Sequence, residues 1–204
     1  MKIKNIIFDM GGVILDFRPE KTLLKYFDNK KDRDIILKNV FQSPVWQDMD
    51  RGVITNLEAV QLTAKNLPER LHATVRHLLE NWFDEMPPKE DVFELIKTLK
   101  ENGYKIYLLS NVSKDFYDQK DNIPAFEFFD GFLISSDYYL LKPEREIYEK
   151  LFEKFNLMPE ECYFIDDLQK NIDGSKAVGM DGYCFYDGNV EKLKKEMRQK
   201  GIKI

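Results

Sequence analysis

Four places in this 204-residue chain set a residue able to do chemistry directly behind an apolar run. They are Asp9-Met10-Gly11-Gly12 after IIF, Ser110-Asn111 after YLL, Lys142-Pro143 downstream of FLIS, and Asp166-Asp167 after YFI. One Asp or Ser in such a place is commonly no more than a cap for the following helix. Four of them in this order share a use, because carboxylates hold a divalent cation while a hydroxyl and an ammonium hold phosphoryl oxygens. Gly11-Gly12 allows a tight turn whose backbone amides can approach a phosphate.

The elements that must gather these groups are strands of one sheet. Ile3 to Phe8 reads as a buried strand that stops abruptly at Asp9, and Ile106 to Leu109, Phe132 to Ser135, Cys162 to Ile165 and Gly182 to Phe185 read as further strands. Between them the apolar period becomes helical: Val92, Phe93, Ile96 and Leu99 before a stop at Gly103, then Arg145 to Phe155, then Asn171 to Val178. This alternation predicts an α/β fold, a Rossmann-like parallel sheet with helices on both faces. In such sheets ligands bind at the carboxyl ends of the strands, where the four groups fall.

From Pro19 to about Trp82 the pattern is helical throughout, as at Leu23, Leu24 and Phe27 or Ile35, Ile36 and Val40. A small α-helical cap inserted after the first strand is therefore expected over 16–88, with the core built from 1–15 and 89–204. Within the insert, Trp46, Arg51, Trp82 and Phe83 read as core or hinge residues. His72 and His77, five apart, do not share a helix face and read as surface residues.

Composition narrows the partners. Hydrophobic residues make up 43% and charged residues 33%, ordinary for a folded globular chain, and the net charge of -5 comes from interspersed acids and bases. No basic face points to nucleic acid, and the Lys-rich stretch from Lys192 to Lys203 is diluted by Glu196 into a solvated helix. Cys162 and Cys184 sit in apolar runs as reduced residues, so no disulfide is expected. No apolar stretch suggests a signal peptide or membrane span, which favours the cytoplasm. Nothing in the sequence specifies an oligomeric state.

The segments IIFDMGGVIL, YLLSN, LKPEREIY and FIDDLQKNIDGSKAVGM resemble the four motifs of the haloacid dehalogenase-like hydrolase superfamily, across essentially the whole chain. The helical insert resembles that superfamily's small cap. VWQDMDRGVIT and NWFDEMPP are similar to the branch containing sugar 1-phosphate phosphatases such as α-D-glucose 1-phosphate phosphatase. The resemblance implies that Asp9 attacks phosphorus and forms an aspartyl-phosphate that water hydrolyses. It implies Mg²⁺ held by the Asp9 carboxylate, the Gly11 backbone carbonyl and Asp167, with Asp166 acting directly or through water. It also implies that Ser110, the Asn111 backbone and Lys142 bind the phosphoryl group of a small-molecule substrate. The residues themselves leave Asp166 a second use, as a cap for the helix that follows.

One position departs from the pattern. Most phosphatases of the superfamily carry a second aspartate two residues after the nucleophile, which protonates the leaving oxygen and then activates water. Here that residue is Gly11, and such catalysis contributes about 10²–10⁴-fold. The favoured expectation is a phosphatase whose leaving groups need little help, such as an anomeric sugar phosphate or an acyl phosphate. A metal-independent 2-haloacid dehalogenase, with Asp9 attacking carbon, has little use for the Asp166-Asp167 pair. A catalytically weak phosphate-binding protein has no need to keep Asp9, Lys142 and Asp167 together.

Overall fold

The computed structural model describes residues 2–204. Five strands form one parallel sheet: β1 (Asn5–Phe8), β2 (Lys105–Ser110), β3 (Gly131–Ile134), β4 (Cys162–Asp166) and β5 (Asp181–Cys184), in the order β3-β2-β1-β4-β5. The central place of β1 follows from its sequence, since Ile6, Ile7 and Phe8 are all fully buried and only a strand covered on both faces can bury a continuous apolar run. Phe8 is level with Leu108 on one side and Ile165 on the other. Asp9 and Asp166 therefore leave the sheet side by side.

Between β1 and the rest of the sheet the chain runs through helices α1 (Pro19–Thr22), α2 (Lys30–Ile36), α3 (Pro44–Arg51), α4 (Asn56–Ala64) and α5 (His72–Glu80). Local chemistry sets their ends. The Asn29 side chain caps α2, Pro44 opens α3, and Thr55 with Glu58 forms a reciprocal capping box on α4. Gly52 closes α3 in the left-handed conformation, φ 80°. A π-helical turn, Leu37–Phe41, extends α2, a feature that the helical period alone does not reveal. The chain enters and leaves this segment through paired backbone: Asp16 N–H donates to the Pro87 carbonyl and Lys89 N–H to that of Ile14, each at 2.9 Å.

After the insert come α6 (Glu90–Glu101), the short α7 (Phe116–Gln119) and α8 (Ser135–Tyr138), then α9 (Arg145–Phe155), α10 (Gln169–Ala177) and α11 (Val190–Gln199). Side chains alternate across the sheet. Ile7, Leu109 and Phe164 pack with Ile147 and Leu151 of α9 and Ile172 of α10 on one face. Ile6, Phe8 and Leu108 pack with Leu95, Ile96 and Leu99 of α6 and Leu193 of α11 on the other. The expected doubly covered parallel sheet is thus the one formed. Boundaries move by one or two residues, most consequentially at Ser135, which opens α8 instead of ending β3. Among the described residues no helix is long and apolar enough to cross a membrane.

Candidate active site

Asp9 is the first residue past β1 and is 8% exposed. Its neighbour in space is Lys142, brought back from the segment between α8 and α9. Asn111 positions that segment by clasping the Lys142 backbone: Oδ1 accepts the N–H at 2.8 Å and Nδ2 donates to the carbonyl at 3.2 Å. The Lys142 ammonium, buried to 3% exposure, lies 2.8 Å from Asp9 Oδ1 and 2.7 Å from Asp166 Oδ2, and donates to the Leu109 carbonyl at 2.9 Å. An ammonium has three protons, and all three are placed. Burial works against its charge, but Asp166 and Asp9 together outweigh that, and its pKa is raised.

Asp166 is saturated in the same way. Its Oδ1 accepts from Leu168 N–H at 2.8 Å and Asn171 Nδ2 at 2.9 Å, while Oδ2 accepts from Lys142 and, at 3.0 Å, from Asn171. A carboxylate offers about four acceptor positions, so protein donors fill this one. The expectation that Asp166 acts as a metal ligand meets a carboxylate engaged in anchoring Lys142 and the start of α10. The Leu168 bond closes a turn just ahead of α10, whose N-cap residue is Leu168 with no side-chain cap, so the capping use that the sequence left open is not the one formed.

Asp167 is differently placed. Gly12, at φ 76°, lies so close that a β-carbon there would overlap the Asp167 carboxylate. Lys89 donates to the Gly12 carbonyl at 2.5 Å and fastens the turn, and among the described residues no protein donor takes the carbonyl of Gly11. One oxygen each from Asp9, Asp166 and Asp167 lies within 4.8 Å of the others. Burial, followed by repulsion from Asp166 and Asp167 and opposed by Lys142, pushes the Asp9 pKa up to about 7. Burial, with the Asp166 charge, pushes Asp167 up to about 6. Three carboxylates thus face one ammonium, in an all-oxygen setting with a spare backbone carbonyl. Those donors fit a small hard cation such as Mg²⁺, with Asp9, Gly11 and Asp167 as the residues free to hold it.

Ser110, expected to bind the phosphoryl group, ends β2 at 1% exposure and does not line the neighbouring cavity, whereas Asn111 and Val112 do. That cavity, about 500 Å³, separates the strand ends from the helical insert. Its far wall is aromatic. Phe41 lies 4.5 Å from Trp82 and 4.9 Å from Trp46, ring centre to ring centre, and Phe17 packs edge-on to Trp82 at 5.3 Å. Among the described residues the buried Trp82 Nε1 proton has no partner. Arg51 reaches out of the insert to Glu144 and to the Tyr139 carbonyl at 2.9 Å, and Asn56 reaches Asp115. The Arg51 contacts tie the insert to the segment that delivers Lys142, and the Asn56 contact ties it to the loop after β2.

Three elements of this setting escape a reading of the sequence. Asn171, five residues beyond Asp166, supplies two of its four hydrogen bonds; the signal available is an Asn in the first turn of a helix opened by acids. Phe17 and Phe41 join the aromatic wall, although their surroundings in sequence are charged and polar. Asp50 lines the cavity with Asp9, and burial, with the Asp9 charge added, holds its carboxyl well above the ordinary range. A trace of it exists in the segment WQDMDRG, where a tryptophan precedes it by one helical turn and a terminating glycine follows. His72, half-buried against the Leu67 carbonyl, and exposed His77 take no part, and both cysteines are free.

Comparison with known proteins adds an independent line. The family model of the haloacid dehalogenase-like hydrolases matches residues 3–179. The chain is 28% identical over 200 residues to a sesquiterpene phosphatase of Aspergillus oryzae, covering 96% of this chain and 95% of that one. It is 26% identical over 194 residues to a D-ribitol-5-phosphate phosphatase of Bacteroides thetaiotaomicron, covering 89% and 91%. A solved HAD family enzyme from Bacteroides thetaiotaomicron, in complex with magnesium and inorganic phosphate, shares the fold with a TM-score of 0.67 at 20% identity, over 89% of this chain and 93% of that one.

Proposed function

The chain belongs to the haloacid dehalogenase-like hydrolases and is a phosphatase of that family, and we propose that it releases phosphate from a small phosphorylated metabolite through an aspartyl-phosphate on Asp9, with Mg²⁺ as cofactor. The observation that carries this reading is the 2.8 Å approach of Lys142 to Asp9 beside the Asp166-Asp167 pair. In it a carboxylate is aimed by an ammonium whose other two protons are committed to Asp166 and Leu109, so the nucleophile is held before substrate arrives.

In the proposed cycle an Asp9 oxygen attacks phosphorus and the bond to the leaving oxygen breaks. Lys142 stays in place and offsets the charge on the phosphoryl oxygens, at no cost in reorganisation. Asp166 keeps Lys142 cationic and fixed. Asp9, the Gly11 carbonyl and Asp167 would hold Mg²⁺, which when bound would supply Lewis-acid stabilisation of the phosphoryl charge. Water then attacks the phosphorus of the acyl phosphate and returns Asp9 to a carboxylate.

For the substrate we infer a sugar phosphate, with hexose 1-phosphates as the leading members. The cavity is large enough for a ring beside the phosphate, and its walls offer Trp46 and Trp82 for the apolar edges and Asn56, Asn81 and Gln47 for hydroxyls. The relatives are named for very different alcohols, so the choice rests with the insert more than with the strand ends. The test is phosphate release from p-nitrophenyl phosphate and from hexose 1- and 6-phosphates, in Mg²⁺ or in EDTA, with 2-chloropropionate alongside. Release that needs Mg²⁺ and favours the 1-phosphates is expected. Chloride release without metal, and no phosphate from any ester, would replace the phosphatase by a dehalogenase.

A further inference from the structure

Cleaving an alkyl phosphate leaves an alkoxide that has to be protonated, and Gly11 has no side chain to do it. The other carboxyls lining the cavity can be taken in turn. Asp9 attacks, and Asp167 belongs to the acidic cluster. Glu144 is engaged by Arg51 and Asp115 by Asn56. Glu80 and Asp84 are exposed at the rim. Asp50 remains, carried by the last turn of α3.

We propose that Asp50, reaching across the cavity from the helical insert, is the general acid and base of this enzyme and takes the place of the side chain absent at Gly11. The proposal rests on the phosphatase reading and supplies the proton transfers that reading lacks.

The backbone around Asp50 is pinned on both sides. Its carbonyl accepts from Ser135 Oγ at 2.5 Å, and that same hydroxyl accepts the Val112 N–H at 2.9 Å, one residue past Asn111. The next residue, Arg51, is tied to Glu144 and Tyr139. Gly52 then packs so tightly on the Ser136 backbone that a β-carbon would overlap it. Asp50 is thus fixed to the loop after β2 through one bridging hydroxyl, while among the described residues no cation forms an ion pair with its side chain. The Lys142 protons are placed on other groups, so Lys142 acts on this carboxyl only through its charge, and Trp46 is the carboxyl's polar neighbour. The group is surrounded by protein yet partly accessible from the cavity. Burial, joined by the nearby Asp9 charge, outweighs the opposing Lys142 charge and the Trp46 contact and favours the protonated form, as a general acid requires.

The proton count closes. As the bond from phosphorus to the leaving oxygen breaks, the Asp50 carboxyl gives its proton to that oxygen and the free alcohol forms. Asp50 is then a carboxylate. Water attacks the phosphorus of the Asp9 acyl phosphate, gives its proton to Asp50, and the bond between phosphorus and Asp9 breaks. Phosphate leaves, and both aspartates are as they began.

A proton donor matters most for a poor leaving group, and this makes the role testable. For Asp50→Asn, kcat/KM on an alkyl ester such as glycerol phosphate should fall about 10²-fold or more, and on p-nitrophenyl phosphate at least tenfold less. Installing the missing acid in its usual place should recover the alkyl activity. At Gly11 a β-carbon meets only Phe17, at an ordinary 3.5 Å, so Asp50→Asn combined with Gly11→Asp is the rescue variant. Should Asp50→Asn fold poorly, Asp50→Ala with added formate asks the same question, and formate should restore alkyl turnover selectively. Equal losses on both esters, or no loss on either, would overturn the role of Asp50 while leaving the phosphatase intact. A wild-type protein that releases phosphate from neither of these esters nor from any hexose phosphate would instead remove the phosphatase reading itself.

Discussion

On the sheet side of the cavity Lys142 and Asp166 are fully engaged: Lys142 places its three protons on Asp9, Asp166 and Leu109, and Asp166 fills its oxygens with Lys142, Asn171 and Leu168. On the helical side, among the described residues, Trp82 Nε1 is buried with no hydrogen-bond partner and Asp50 lines the cavity with no ion pair. A saturated network fixes geometry and tolerates no change, because breaking it strands a buried charge. Unanswered polar groups on an aromatic wall are left for a substrate to answer. The division suits an enzyme whose chemical step is constant and whose alcohol is chosen by the insert.

The saturated side should break hardest. Lys142→Ala leaves Asp9 and Asp166 buried without their cation, so stability should fall by about 3–5 kcal/mol in urea unfolding. Turnover of any ester should drop at least about 10²-fold. A variant that unfolds at the wild-type urea concentration would show that the network holds nothing.

Next comes pH. Asp9 and Asp167 have folded-state pKa values raised to about 7 and about 6, above the unfolded carboxylate range. The stability tied to their protons is complete below about pH 4 and is lost as pH rises through 6 and 7. Lowered carboxyls such as Asp16, Glu144 and Asp130 change in the acid range and leave this window alone. Metal-free protein should therefore lose Tm between pH 5 and pH 8, and the gain from added Mg²⁺ should grow over the same interval because the cation needs the deprotonated acids. A Mg²⁺ effect that is flat with pH would contradict it.

The helical side should yield least. Trp82→Phe removes a donor that bonds to nothing, so stability should hold within about 1 kcal/mol in urea unfolding. KM for a hydroxyl-bearing substrate should rise several-fold with kcat little changed. If Trp82→Phe were as damaging as Lys142→Ala, the contrast between the two walls would be lost.

These two sides also differ in how far the sequence discloses them. Asp9, Asn111, Lys142 and Asp166-Asp167 stand at the ends of apolar runs, and a parallel sheet gathers strand ends at one edge, so their meeting follows from the pattern. The division of labour between Asp166 and Asp167 does not, since adjacent acids look alike until Asn171 and Lys142 are seen to occupy one of them. Asp50 is harder still. In QDMDR it resembles the solvated face of a helix, and its backbone is held toward the cavity by Ser135, 85 residues away along the chain. Helical period predicts that the insert is helical but says nothing of which face meets the sheet. The boundary at Ser135 was hidden for a related reason, because its hydroxyl serves Val112 and Asp50 from the start of α8.

The central claim is the covalent role of Asp9. Rapid acid quench of the enzyme during turnover of p-nitrophenyl phosphate with Mg²⁺, followed by peptide mass spectrometry, reads it directly. One phosphoryl group on the peptide that contains Asp9, absent from Asp9→Asn together with phosphate release, is the predicted result. Unmodified Asp9 in the steady state of an active enzyme, or an Asp9→Asn variant that turns over as fast as wild type, would contradict it.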